Sequence, residues 1–194
     1  MVAKGECIMK ISNLSKNFGS KKIFSNQSFE LADGKITYIM GESGCGKTTL
    51  LRIIAGLDKK FSGNINFGGS KISYVFQEPR LFPNLTVAEN ISIVSENSPF
   101  TVEELLNLVE LETEANNLAS TLSGGMKMRI ALARAIYYNG DIFLMDEPFS
   151  ALDSDLKSRI LPEIFKKIKG KTVIIVSHSQ EEANSYADEI IKLN

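Results

Sequence analysis

The sequence lacks several features that mark particular classes of protein. It has no tryptophan, one histidine and two cysteines, Cys7 and Cys45, and its formal net charge is −1. The near-neutral charge argues against nucleic-acid binding, which normally requires a basic surface. No segment approaches the ~20 apolar residues that span a bilayer, and the composition of the first residues leads us to expect no signal peptide. Two cysteines do not make a disulfide framework, so we expect an intracellular protein with reduced thiols.

The alternation of strand-like and helix-like segments indicates the fold class. With 194 residues, 43% of them hydrophobic, the chain can form one domain with a sizeable core. Strand-like runs are predicted at residues 8–14, 23–31, 36–40, 63–67, 72–76, 142–145, 173–176 and 189–193. Helix-like segments intervene at 48–55, 155–169 and 180–187. This alternation predicts an α/β fold with a mostly parallel sheet covered on both faces.

Residues 77–139 are expected to form a helical lobe inserted into this core. From residue 86 to residue 118 the sequence predicts helices that are broken at Ser98-Pro99, with Thr101 as an N-terminal cap. A further helix follows Ser123-Gly124-Gly125 and runs to Tyr138. We therefore expect a single domain, 1–194, with its core at about 1–76 and 140–194 and its lobe at about 77–139.

The most informative motif runs from Gly41 to Thr48 and has the spacing G-x-x-x-x-G-K-T. It follows an apolar strand and precedes a helix, a setting in which backbone N–H groups and the positive helix end bind phosphate. Lys47 can reach the β- and γ-phosphates, and the Thr48 hydroxyl can ligate Mg²⁺. The motif predicts a nucleoside triphosphate site formed by Gly41, Ser43, Gly44, Cys45, Gly46, Lys47, Thr48 and Thr49.

Acidic and polar residues follow three more of the strand-like runs. Asp146 and Glu147 end an apolar strand, where an Asp can hold Mg²⁺ and the next carboxylate can accept a proton from water. An acidic helix cap would explain the same pair. Gln77 could contact Mg²⁺ or water, or be an ordinary surface residue. His178 faces the ligand crevice if the sheet is open, and is otherwise a structural histidine.

The segment Ser123-Gly124-Gly125 opens a helix. A serine and two glycines at a helix N-terminus can bind an anion, so this segment is a candidate second phosphate site. An ordinary helix cap is the alternative interpretation, although a cap does not need the glycine pair.

In this order, the motifs resemble those of the nucleotide-binding subunit of ATP-binding cassette (ABC) transporters, over nearly the whole chain. The resemblance implies a P-loop NTPase (RecA-like) fold with an N-terminal antiparallel β part and an inserted helical lobe. It implies that Phe18 stacks on adenine and that residues 41–48 bind the phosphates. The remaining roles implied are magnesium binding by Gln77 and Asp146, proton abstraction by Glu147, a switch role for His178, the family signature at Ser123-Gly124-Gly125 and the D-loop at Ser150-Ala151-Leu152-Asp153.

Two further stretches, Leu81–Asn90 and Glu147–Asp153, are similar to those of bacterial import systems. The signature variant ending in Met126 resembles the nitrate, sulfonate and taurine importers. The resemblance implies an ATPase that uses ATP and Mg²⁺, closes head to tail with a second copy and docks on transmembrane permease subunits. The candidate docking segment is Phe76–Val87, and an apolar turn folded onto its own lobe is the alternative interpretation. An extracytoplasmic solute-binding protein would belong to the same system, and the chain would be cytoplasmic, peripheral on the inner face of the cell membrane.

Two other functions are compatible with parts of the pattern. One is a non-transport ATPase of the same superfamily that acts on DNA or ribosomes. The interval between Lys47 and Ser123 leaves no room for the long coiled coil of the DNA-repair members, and the chain has one cassette where ribosome-acting members usually have two. The other is a non-hydrolysing regulatory cassette, which Met126 alone suggests and the presence of Lys47 and Glu147 disfavours.

Overall fold

The structure, a computed structural model, describes residues 9–66 and 69–193. Its strands are β1 (Met9–Phe18), β2 (Lys21–Leu31), β3 (Ile36–Gly41), β4 (Ser62–Asn66), β5 (Ile72–Val75), β6 (Ile142–Asp146), β7 (Thr172–Val176) and β8 (Glu189–Leu193). Its helices are α1 (Lys47–Ile54), α2 (Val87–Ser92), α3 (Val102–Leu108), α4 (Gly124–Tyr138), α5 (Ser154–Lys167) and α6 (Gln180–Tyr186). The predicted strand ends at residues 8 and 67, and Cys7, lie outside the described residues.

The strands form two sheets. Strands β1, β2 and β4 pair antiparallel in the order β2-β1-β4, and the other five form a parallel sheet in the order β5-β6-β7-β3-β8. The predicted α/β fold, with a mostly parallel sheet and an antiparallel β part near the N-terminus, is confirmed. Because the strands are parallel, the carboxyl ends of β3, β6 and β7 meet at one edge of the sheet.

Apolar side chains alternate between two cores on opposite faces of the parallel sheet. In β6, Ile142 and Leu144 pack with α1 and the antiparallel sheet, whereas Phe143 and Met145 pack with α4 and α5. The side chains of β7 are divided between the two cores in the same way, because successive side chains of a strand point to opposite faces of the sheet. The continuous apolar runs of these strands are explained by burial on both faces.

Most of the helices begin at a side chain that accepts a hydrogen bond from the backbone. The caps are Thr86, Thr101, Ser123, Asp153 and Ser179, each of which accepts from the N–H three residues later. Such caps satisfy N–H groups that have no partner within the helix. The predicted cap at Thr101 is therefore present.

The helical region differs from the prediction for residues 86–118. Helices occupy only 87–92 and 102–108, and a short 3₁₀ turn follows at 112–114. The chain leaves α3 at Val109, and Glu110 has the left-handed conformation (φ 54°), which ends a right-handed helix. The side chain of Glu110 then forms an ion pair with Arg159 of α5 at 2.7 Å, so the turn rests against α5.

The longest helix, α4, has 15 residues. Across residues 9–66 and 69–193, no helix is long and apolar enough to cross a membrane.

Candidate functional site

A cavity of about 190 Å³ lies at the sheet edge where β3, β6 and β7 end. Its walls bring together residues that are distant in sequence but come from the predicted motifs. They are Ile23, Ser43, Gly44, Gly46, Lys47, Thr48, Thr49, Gln77, Asp146, Glu147, Val176 and His178. The carboxyl edge of a parallel sheet is where open α/β proteins bind ligands, so the position agrees with the predicted crevice.

The loop between β3 and α1 depends on close packing at Gly46. Gly46 has φ 110° and caps α1, and a Cβ added to it would lie 2.5 Å from Cγ2 of Ile23. Only glycine fits this combination of backbone conformation and contact. The loop is thereby pressed against β2, and the N-terminus of α1, with its free N–H groups, opens into the cavity.

Lys47 is 7% exposed and its ammonium lies inside the loop. It donates hydrogen bonds to the carbonyl oxygens of Gly41 (2.8 Å) and Glu42 (2.9 Å). These contacts compensate for the burial of a positive charge. A cation held among inward-facing backbone groups is the electrostatic complement of a phosphate chain.

Thr48 and Asp146 form a pair of hard oxygen ligands. The Thr48 hydroxyl donates to Oδ1 of Asp146 at 3.0 Å. Asp146 follows Ile142 and Leu144 at intervals of two residues, so its side chain lies on the face of the sheet that α1 covers. Burial raises the pKa of Asp146, while the Thr48 hydroxyl and nearby cations offset part of that effect.

The donor set around Asp146 fits Mg²⁺. Magnesium prefers oxygen ligands and is usually held by one or two carboxylates together with substrate phosphates. Among the described residues, no cluster of three His, Cys, Asp or Glu side chains could hold a metal by itself. Thr48, Asp146 and the Gln77 amide, which lines the same cavity, are therefore suited to a metal that arrives with a nucleotide.

Glu147 has an unusual backbone. Its φ of 50° is in the left-handed region, and its N–H donates to the carbonyl of Val176 at 2.9 Å. A non-glycine residue in this region is uncommon and costs about 1–3 kcal/mol, and such strain is often found at functional sites. The turn takes the Glu147 side chain out of the strand alternation and into the cavity.

The side chain of Glu147 is mostly buried, with 14% of its surface exposed. Its Oε1 is buried without a hydrogen-bond partner, although Nε2 of His178 lies 3.2 Å away in a poorly aligned orientation. Burial raises the pKa of Glu147, and the nearby His178 offsets part of that rise. A carboxylate with a raised pKa beside a polar cavity is a candidate general base.

The comparisons with known proteins agree with this geometry. A model of the ABC transporter family matches residues 24–150. The chain belongs to the ABC transporter family. It is 38% identical to the sulfate/thiosulfate import ATP-binding protein CysA of Pseudomonas syringae, an alignment that covers 96% of the chain and 64% of that protein. The chain thus spans a little under two thirds of the length of this relative.

Other relatives of this ABC cassette are similar to the same degree. It is 40% identical to the spermidine/putrescine import protein PotA of Thermotoga maritima (96% of the chain, 56% of that protein). It is 38% identical to the aliphatic sulfonates import protein SsuB 2 of Burkholderia cenocepacia (92% and 70%). The predicted resemblance to importers is confirmed. The names of these relatives give different substrates, and one of them is a sulfonate importer.

A solved structure shows the same fold. The cassette MJ0796, in a dimeric post-hydrolysis state bound to ADP and Pi, is 32% identical with a TM-score of 0.85. The alignment covers 96% of this chain and 94% of that one. The predicted P-loop NTPase fold is therefore shown for nearly the whole ABC cassette.

Three predicted site segments of the cassette lie outside the main cavity. Gly41 and Cys45 line a second cavity of about 640 Å³ on the other side of the loop, and Cys45 is a free thiol. Phe18 lines a third cavity, of about 410 Å³, together with Thr49. Thr49 borders both the main and the third cavity, so Phe18 lies along a path that continues from the phosphate loop.

Phe18 is 53% exposed, so its ring is available for contact with a ligand. The ammonium of Lys16 lies 4.6 Å from the ring centroid. Lys16 is itself buried and bonded to Asp58 (2.8 Å) and to the Lys60 carbonyl (2.7 Å). The ring is thus supported by a fixed cation while much of its surface faces solvent.

The signature segment lies outside the cassette's own main cavity. Ser123 caps α4, accepting from the Met126 N–H at 3.3 Å, and Ser123 and Gly124 are exposed. None of Ser123, Gly124 and Gly125 lines the cavity that contains Lys47. Met126 is partly buried and packs against the core formed with α4, so its side chain has an apolar packing role.

Sequence reasoning missed two apolar walls of the cavity, Ile23 and Val176. Nothing in their residue types distinguishes them from other core positions. Val176 could have been found from the spacing, because it precedes His178 by two residues at the end of β7. Ile23 could not, because it belongs to the antiparallel sheet and reaches the loop only through the packing against Gly46.

Proposed function

We propose that this chain is the ATP-binding and ATP-hydrolysing subunit of a membrane transporter that imports a solute. The observation that carries the proposal is the pair Thr48–Asp146 beside Lys47, in one cavity with Glu147 and His178. A cation, a magnesium ligand pair and a candidate base around one space are the parts that phosphoryl transfer to water requires. The naming of its relatives as import ATP-binding proteins supports the same function.

ATP would bind along the cavity and the Phe18 path. The N–H groups of residues 43–48 and the Lys47 ammonium would contact the phosphates, and the Phe18 ring would stack on the adenine. Thr48, Asp146 and Gln77 would hold Mg²⁺. Bound there, Mg²⁺ would neutralise charge on the phosphate oxygens.

Hydrolysis would be an in-line attack of water on the γ-phosphorus. A new water-oxygen-to-phosphorus bond forms as the bond from phosphorus to the bridging oxygen of ADP breaks. Glu147 would accept the water proton, and His178, 3.2 Å from Glu147, would orient the water or the phosphate. Lys47 would stabilise negative charge that develops on the phosphate oxygens.

The first test replaces Glu147 with glutamine, which keeps the shape and removes the base. We expect Glu147→Gln to lower steady-state ATP hydrolysis by roughly 10²–10⁴-fold while ATP binding, measured by calorimetry, stays within a few-fold of the parent. Glu163→Gln, which removes an exposed carboxylate of α5, is the matched control. Turnover in Glu147→Gln close to that of the control would remove Glu147 from this role.

The proposal includes a second copy of the chain. A helix N-terminus with exposed Ser123 and Gly124 is an anion site, yet it lies outside the cavity that contains Lys47. Two copies arranged head to tail would place this segment of each on the nucleotide of the other. ATP should therefore produce a dimer of Glu147→Gln on gel filtration, and a monomer at saturating ATP would contradict the arrangement.

Permease subunits would dock at the segment Phe76–Val87. Phe82 is 51% exposed there, and the turn around it is fixed by Asn90, whose side chain bonds to the N–H and carbonyl of Phe82 at 2.8 and 3.0 Å. An exposed aromatic on a rigid turn is a suitable anchor for a protein groove. The chain would then lie at the inner face of the cell membrane, and an extracytoplasmic solute-binding protein would deliver the solute.

A charge on this anchor tests the docking surface. We expect Phe82→Glu to abolish co-purification with the permease subunits while the ATPase activity of the isolated chain is retained. Ile190→Glu, at an exposed apolar residue of β8, is the control. Intact assembly of Phe82→Glu with the permease would refute docking through Phe82.

A further inference from the structure

The turn that carries His178 joins β7 to α6 and is held by its neighbours rather than by His178 itself. The His178 side chain is 57% exposed, and within the described residues its imidazole forms no aligned hydrogen bond. Ser177, which precedes it, is buried, and Ser179, which follows it, caps α6. The contacts that hold Ser177 and Ser179 in place therefore also determine the position of the imidazole.

Glu182 fixes both serines. The Ser177 hydroxyl donates to Oε2 of Glu182 at 3.2 Å and accepts from the Ser179 N–H at 3.1 Å. The Ser179 hydroxyl accepts from the Glu182 N–H at 3.2 Å. The side chain and the backbone of one residue thus close a ring of hydrogen bonds around the turn, with His178 at its tip.

Glu182 also connects this turn to α5. Its Oε1 accepts from the Lys157 ammonium at 2.8 Å, and the side chains of Glu182 and Lys157 are 9% and 26% exposed. α5 begins at its cap Asp153, at the end of the loop that starts with Glu147. The Lys157–Glu182 pair therefore joins the segment after Glu147 to the segment that holds His178.

We infer that Glu182 is a positioning residue for His178, and that Lys157 is the charge that holds Glu182 in place. The inference rests on the proposed ATPase function for its kinetic consequence, but its structural part does not. Glu182→Gln removes the charge that pairs with Lys157 and keeps one accepting oxygen where the carboxylate has two, so Ser177 and Lys157 can no longer both be satisfied and the turn loosens. Glu182 does not line the cavity, so its effect on catalysis passes through His178.

The single histidine gives a direct test. In an untagged chain labelled with ¹⁵N, the imidazole nitrogens of His178 give the only histidine side-chain signals. We expect Glu182→Gln to change their chemical shifts and line widths, and Lys157→Met to change them in the same direction. Glu181→Gln, an exposed neighbour on α6, is the matched control and should leave the signals at their parental positions.

Kinetics provide the second readout. We expect Glu182→Gln to lower kcat for ATP hydrolysis by about 10- to 100-fold, because a displacement near 1 Å costs rates of this order. KM for ATP should stay within about twofold, since Glu182 does not contact the nucleotide cavity. In a His178→Ala background, Glu182→Gln should change the residual rate by less than about twofold, because the two act through one group.

The outcomes separate this inference from the proposed function. Parental His178 signals in Glu182→Gln, with a correctly folded chain by circular dichroism, would overturn the positioning role. Full additivity of Glu182→Gln and His178→Ala would overturn it as well. Absence of ATPase activity in every protein, including the parent with its permease, would instead refute the proposed function, and the imidazole signals would still decide the positioning role.

Discussion

At the scale of single residues, the pKa values of Asp146 and Glu147 are raised in the same direction for the same reason. Both carboxyl groups lie at the end of β6 where burial disfavours the charged form. For Glu147 the nearest compensating group is His178, which is largely exposed. Both the activity and the stability of the chain should therefore depend on pH through this pair.

The pH dependence of activity follows from the raised pKa of Glu147. A protonated carboxyl group cannot accept a proton, so kcat should fall as the pH is lowered through that pKa. The fall should occur above 4.5, the ordinary value for a glutamate. A pH–rate profile at saturating ATP measures it, with Glu163→Gln as the control. A kcat that stays constant down to the ordinary glutamate range would contradict a buried base.

The pH dependence of stability has the opposite sign. A carboxyl group whose folded-state pKa is raised favours the folded state when protonated, and that contribution is lost as the pH rises through the folded pKa. Glu147→Gln removes this loss, so the variant should unfold at a higher temperature than the parent near pH 8. Thermal scans at several pH values measure it. The difference should shrink as the pH is lowered, and a lower melting temperature near pH 8 would contradict the argument.

Substitution of Gly46 is predicted to destabilise the chain for two separable reasons, a steric clash and a strained backbone conformation. Gly46→Ala adds a Cβ 2.5 Å from Ile23 and 2.9 Å from Phe24 at φ 110°. We expect a loss of at least about 2–3 kcal/mol of unfolding free energy and at least 10-fold weaker ATP binding. Gly56→Ala separates the causes, because Gly56 also has a positive φ (69°) but nothing within 4 Å. It should cost about 1 kcal/mol, by denaturant unfolding, and leave ATP binding unchanged.

At the scale of elements, the strands of the parallel sheet were predictable because burial on both faces gives uninterrupted apolar runs. The runs at 142–145 and 173–176 correspond to β6 and β7 within one residue. The region 86–118 was less predictable. Its helices are of six and seven residues, and the turn at Glu110 contacts Arg129 of α4 and Arg159 of α5, which local sequence does not reveal.

A prediction at the scale of elements concerns the contribution of Asn90 to stability. It is fully buried, and its side chain bonds to backbone groups of Phe82, Leu85 and Thr86, which holds the turn before α2. Asn90→Ala leaves the Phe82 N–H without its partner and removes one of the two hydrogen bonds that each of the three carbonyls accepts. This should cost about 2–3 kcal/mol and lower the melting temperature by ~4–12 °C. Asn107→Ala, at an exposed asparagine of α3, should change the melting temperature by less than ~2 °C.

The Asn90 variant also bears on the docking surface. If the rigidity of the Phe82 turn is needed, Asn90→Ala should weaken co-purification with the permease at a temperature where the chain is still folded. Melting of Asn90→Ala at the parental temperature would show that the four hydrogen bonds of this side chain are replaceable.

At the scale of the whole molecule, the sequence predicted which residues form the site better than it predicted the contacts that hold them in place. Spacing and residue type identify Lys47, Thr48, Asp146, Glu147 and His178, and the structure brings all five to one cavity. Their catalytic roles stay predictions. The links that hold them, such as Ser177–Glu182–Lys157, join residues of ordinary surface type across separate elements. Such pairs cannot be recognised before the fold places them together.

The division into a core and a helical lobe also stays a prediction, and the shared sheet suggests how to test it. Leu144 and Met145 are both fully buried but belong to the two different apolar cores. We expect Leu144→Ala and Met145→Ala each to cost about 2–5 kcal/mol. Both should shift one common calorimetric transition, because one strand serves both cores. Two transitions, each moved by only one variant, would show that the parts unfold separately.

The alternation along β6 and β7 has a consequence for insertions and deletions. Removing one residue from β6 would move Asp146 to the side of the sheet opposite Thr48 and would move other side chains of this strand from one core to the other. Removing two residues would restore the phase and shorten the strand by about 6.6 Å. Only insertions or deletions of an even number of residues in β6 therefore keep the Asp146 carboxylate on the side of the sheet that α1 covers.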